Sequence, residues 1–163
     1  MSLNVSLPQK PLLNKKVAIL AANAVCESDM SEAMRALTSA GANLRIISTD
    51  QSIINCWRDG QWGINVPVDI ALNSALGVDY DMLILPGGIR SLEKLMQTGH
   101  SRRFINSFMT LSKPICAMSD AEKLLEHIGA DLSSANIFNL GDDDIKVMIQ
   151  HFTNMPEDQK QAA

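Results

Sequence analysis

Hydrophobic positions follow two rhythms along the chain. Val17–Leu20, Leu44–Ile47, Met82–Leu85 and Pro114–Met118 are short, nearly unbroken apolar runs, as expected of strands buried on both faces. Between them the spacing turns helical. Met30, Ala33, Met34 and Leu37 lie on one helix face and Gly41 ends it; Phe104, Ile105, Phe108, Met109 and Leu111 mark a second face. Residues 121–127 predict a third helix, stopped at Gly129. Ile145, Met148, Ile149 and Phe152 predict a fourth, with Asp142, Asp143 and Asp144 at its start, where the helix dipole favours negative charge. Two apolar stretches within residues 53–68 flank Asp59-Gly60, a hairpin turn signal, and Ile137-Phe138 suggests a short edge strand.

Strands alternating with helices predict an α/β domain: a five- or six-stranded, mostly parallel sheet with helices on both faces. A site in such a sheet lies at the carboxyl ends of the strands, where the strand order reverses. That singles out the loops Ala22–Ser28, Pro86–Arg90 and Ser119–Ala121. The expected organisation is a flexible arm over 1–14, a single domain over 15–154 and a frayed tail over 155–163.

Composition narrows the function classes. A chain of 163 residues suits one core. The net charge is −4 and the cations are scattered, adjacent only at Lys15-Lys16 and Arg102-Arg103, so no nucleic-acid surface is expected. The apolar runs are too short to span a bilayer, and the first residues lack a signal-peptide core. A cytoplasmic protein without membrane contact is the expectation. Cys26, Cys56 and Cys116 are far apart and form no CxxC pair. They read as free thiols in a reducing compartment, with no metal and no cofactor.

Three segments carry a family resemblance: KVAILAANAVCESDMSEAMRALTSAG from Lys16, DYDMLILPGG from Asp79 and KPICAMSDAEKLLEHIG from Lys113. In this order they resemble the ThiJ/PfpI (class I glutamine-amidotransferase-like) superfamily. The resemblance implies a flavodoxin-like three-layer sandwich that dimerises. It also implies a site built on a cysteine at a strained strand-to-helix elbow, a histidine after it and a glutamate from the first loop. Here Ser119 takes the nucleophile position, Asp120 the histidine position and Cys26 the glutamate position, with Glu27 beside it; Asp29 takes the place of a second acid. The Gly87-Gly88 turn would supply an oxyanion amide at Gly88. The elbow Lys113-Pro114-Ile115, Ser119-Asp120-Ala121, Lys123 is similar to that of the C-terminal domain of large-subunit catalases, a non-catalytic branch. The expectation is a catalytically degenerate binding or assembly domain. The alternatives are a hydrolase (intracellular peptidase, amidase or deglycase type) using Ser119 or Cys26, and a redox sensor at Cys26.

The residues taken by themselves qualify this picture. A serine nucleophile needs an adjacent base, and Asp120 is intrinsically a weak one. Ser119-Asp-Ala-Glu122 reads better as a capping box, with Ser119 accepting from the Glu122 amide. Gly87 and Gly88 suit a sharp turn, and amides near Gly88 and Asp120 can bind a small molecule or anion, with Asp120's own charge opposing it. Cys116 reads as core and Cys56 as a packing or interface residue; His127 reads as a surface residue and His100 as a solvated helix start. Trp57 and Trp62 beside the hairpin turn are candidates for a homodimer interface.

Overall fold

The computed structural model describes residues 10–50, 52–141 and 143–153, with side chains to residue 150. The chain runs β1 (Lys16–Leu20), β2 (Val25–Cys26), α1 (Glu27–Ser39), β3 (Asn43–Ser48), β4 (Ile53–Arg58), β5 (Gln61–Pro67) and β6 (Ile70–Ala71). It continues through β7 (Met82–Leu85), α2 (Ile89–Met96), α3 (Gly99–Thr110), β8 (Ile115–Met118), α4 (Glu122–His127), β9 (Ile137–Gly141) and α5 (Ile145–Thr153).

Six strands form one parallel sheet in the order β6-β3-β1-β7-β8-β9. From β1 the chain first moves out through β3 to β6, then crosses back to place β7 on β1's other side. The order therefore reverses between β1 and β7, and the segments leaving these two strands meet. Side chains of the central strands alternate between two cores. Val17, Ile19 and Ile84 face Met30, Leu37 and Met148. Ala18, Leu20, Leu83 and Leu85 face Phe104, Phe108, Leu124 and Leu125. Both faces are dry, which is why these strands read as continuous apolar runs. No helix among the described residues is long and apolar enough to cross a membrane.

A second, three-stranded sheet (β2-β4-β5) stands beside the first. Its hairpin turns at Asp59 and Gly60, both with positive φ (49° and 84°), as a two-residue turn of this twist requires.

Four features were not anticipated. α2 begins inside the expected loop Pro86–Arg90 and runs on to Met96, burying Leu92 and Leu95. β2 and β6, of two residues each, are too short to leave a pattern. Helix α1 starts at Glu27, so the first loop ends sooner than Ser28. Of the expected arm, residues 10–14 form a turn packed on the end of α1: Leu12 is buried and its N–H donates to the Ala40 carbonyl at 2.8 Å. The remainder of the arm and the tail over 155–163 lie outside the described residues.

Candidate functional site

The Gly87-Gly88 turn, between β7 and α2, is held from three sides. The Gly87 N–H donates to Asp29 Oδ2 at 2.9 Å. The Gly88 N–H donates to Asp120 Oδ1 at 2.9 Å. The Gly87 carbonyl accepts from the Cys26 N–H at 2.9 Å. Gly88 has φ 115°, and a Cβ there would lie 2.7 Å from the Cys26 nitrogen and 3.0 Å from the Ala24 oxygen. The turn thus touches the backbone entering α1 with no room for a side chain.

Ser119 sits where β8 gives way to α4, with φ 50°. A non-glycine residue in this left-handed region is strained and held by its surroundings. One anchor is its own N–H, which donates to the Gly141 carbonyl at 2.7 Å. Ala24, across the turn, is likewise left-handed at φ 72°. Two left-handed non-glycine residues thus lie near the glycine turn.

The structure gathers Asp29, Gly87, Gly88, Ser119 and Asp120, with the Cys26 backbone against the turn. Asp29 is only 7% exposed, in the first turn of α1. Glu27 goes elsewhere. Its Oε1 accepts from the Ile64 N–H at 2.6 Å and its Oε2 lies 3.6 Å from Arg58 Nη1, so it clamps the β4–β5 hairpin to the start of α1 instead of lining the elbow.

The expected capping box is absent. The N-cap of α4 is Ala121, without a side-chain cap, and Glu122 bonds to the Asn139 amide. The left-handed turn at Ser119 separates its hydroxyl from the α4 amides, and Asp120 turns back to Gly88. Among the described side chains no imidazole bonds to Ser119: His100 lies in the first turn of α3 and His127 ends α4. An open groove of about 480 Å³, lined by Leu76, Val78, Arg103, Ser107 and Leu111 among others, lies at the amino ends of the strands, away from the elbow.

The thiols differ in setting. Cys26, the N-cap of α1, is half-buried, and its Sγ lies 3.2 Å from Ser28 Oγ. Cys56 and Cys116 are fully buried. Burial, helped by the Glu27 and Cys26 charges, pushes the Cys56 thiol up to about 11. Burial and then Asp29 push Cys116 up to about 12. At pH 8 each is then less than about one part in a hundred thiolate, the reactive form. A thiol reagent under native conditions is expected to modify Cys26 alone, and three cysteines in denaturant; rapid native modification of a second thiol would contradict this. The raised values favour the folded state below pH 9, and that stabilisation is lost as pH climbs through about 11 and 12.

One participant near the elbow had no signal in the sequence. Arg90, in the first turn of α2, lays its guanidinium over Trp57 and Trp62. The contact joins residues distant along the chain, and no local pattern foretells it.

Residues 15–133 match the model of the DJ-1/PfpI family. General stress protein 18 of Bacillus subtilis is 27% identical over 113 residues, 69% of this chain and 64% of that protein. Catalase HPII of Pseudomonas aeruginosa is 26% identical over 115 residues, 71% of this chain but 16% of the catalase. The chain thus spans less than two thirds of either relative's length. Among solved structures, Drosophila melanogaster DJ-1beta superposes with a TM-score of 0.64 at 20% identity, covering 72% of this chain and 62% of that one, a likeness of fold. With the family match extending from β1 past α4, through the elbow and its glycine turn, the chain belongs to the DJ-1/PfpI family.

Proposed function

We propose that this chain is a catalytically degenerate member of its family that works as a binding or assembly domain. The observation that carries the reading is the Asp120 carboxylate on the Gly88 N–H at 2.9 Å. Stabilising a developing oxyanion requires free, preorganised donors. Here the amide that the resemblance assigns to that task already serves a fixed carboxylate, whose charge repels a second anion. The same contact argues against a small anion at the elbow. Among the described side chains Ser119 has no imidazole to take its proton, the base that a serine nucleophile needs. The half-buried Cys26 thiol keeps a redox role as the second reading, with peroxide-dependent modification at Cys26 as its readout. Three free thiols suit a reducing cytoplasm, and a homodimer is part of the reading, measured by sedimentation at micromolar concentration.

Peptide, amide and glyoxal-derived substrates test the reading. The expected result is no turnover above buffer, unchanged in Ser119→Ala. Turnover that Ser119→Ala or Cys26→Ala abolishes would overturn it.

A further inference from the structure

The small sheet carries a cross-strand row that the elbow does not use. Cys26 pairs with Trp57, and Trp57 with Trp62. The preceding positions Val25 and Cys56 are fully buried, so the row occupies the outer face. The two indoles meet edge to face, with centroids 5.1 Å apart and planes at 86°. The Arg90 guanidinium carbon lies 4.8 Å from the Trp57 centroid and 5.8 Å from that of Trp62. Trp62 is 55% exposed.

Arg90 stands apart from the arginines that hold the fold together. Arg58 pairs with Glu27, Arg102 donates to the Ile128 carbonyl, and Arg103 donates to the Ala75 and Leu72 carbonyls. The Arg90 guanidinium makes no hydrogen bond or ion pair with any described residue. The ring faces orient its cation yet use none of its N–H donors. A guanidinium so oriented has already lost much of its side-chain freedom, and its planar fork matches a carboxylate. An exposed tryptophan against an arginine is also the composition of an interface hot spot.

We infer that the Trp57–Trp62–Arg90 surface docks a polypeptide segment that presents an aspartate or glutamate beside an apolar side chain. The carboxylate takes the Arg90 fork, and the apolar group covers the Trp62 ring, which a free oxyanion would leave in water. The inference deepens the binding reading and rests on it. The two fail separately, because turnover tests the elbow and the measurement below tests the small sheet.

The chain has 2 tryptophans, both in this surface, so intrinsic tryptophan emission reports on it alone. The full chain is titrated with a capped peptide alternating leucine and glutamate, and with its glutamine counterpart. The expected result is a saturable emission change with the glutamate peptide. Affinity should fall by about tenfold or more for the glutamine peptide and for Arg90→Gln, and should weaken at high salt. Arg90→Gln should keep the wild-type circular dichroism and lose at most about 4 °C in thermal midpoint, since its guanidinium gives up only the contacts with the two rings. Arg90→Lys, which restores charge without the fork, should recover only part of the affinity. Equal binding by Arg90→Gln, or no saturable change, would overturn the inference. So would an equal response to acetate alone, or an emission change that follows protein concentration without peptide, which would make the occupant a second copy of the chain.

Discussion

Gly88→Ala is expected to lower the thermal midpoint by about 6–12 °C, the equivalent of roughly 3 kcal/mol in a domain of this size. Two costs combine. At φ 115° an L-residue is strained whatever the space around it. The new methyl would also meet the Cys26 nitrogen at 2.7 Å and the Ala24 oxygen at 3.0 Å. These are backbone atoms, and Cys26 is itself tied to the Gly87 carbonyl, so neither can move without opening the junction of β2 and α2. Gly129→Ala separates the two costs. Gly129 has φ 81° but nothing within 4 Å of its would-be Cβ, so it should lose only about 1 kcal/mol. Scanning calorimetry of the two variants checks the difference. Equal losses would mean that the close approach at Gly88 contributes nothing.

Asp29→Ala should cost about 2 kcal/mol, read as a lower urea midpoint with an unchanged slope. Asp29 is the only described acceptor of the Gly87 N–H. Gly87 is itself buried, so alanine leaves a donor in the dry interior without a partner. The carboxylate also lies in the first turn of α1, where the helix dipole favours it. Asp29→Asn should lose less, since an amide oxygen can still accept. If the asparagine variant fell as far as alanine, the charge at the start of α1 would outweigh the bond to the turn. Read beside Gly88→Ala, the result would show which side of the turn bears more of its stability, the acidic clamp or the close backbone contact.

Both variants act on the segment that makes the elbow a site at all. Asp29 from α1 and Asp120 from the β8–α4 elbow each take one amide of the turn. Two carboxylates thus occupy both amides of the turn. The outcome is a well-bonded junction, which is why its replacements are expected to register in stability.

The sequence by itself determined the layered architecture and the position of the elbow. β1, β7 and β8 were legible because strands covered on both faces must be apolar at every position, and their helices showed a single buried stripe. Ser119 could be placed at a strand-to-helix turn from the residues around it. Tertiary structure alone decided what the elbow is bonded to. Asp120 and Gly88 are 32 positions apart, Asp29 and Gly87 are 58 apart, and no local period encodes such pairings. The capping box failed for the same reason: it is a local rule, and the left-handed backbone of Ser119, φ 50°, is held by a bond to Gly141 across the sheet. Glu27 was read with the elbow because it neighbours Cys26. Its carboxylate instead reaches Ile64 because the hairpin, a non-local element, folds beside it. Residue identities supplied the strands, the helices and the carboxylates; the packing of α1, α4 and the hairpin around one glycine turn chose which carboxylate met which amide.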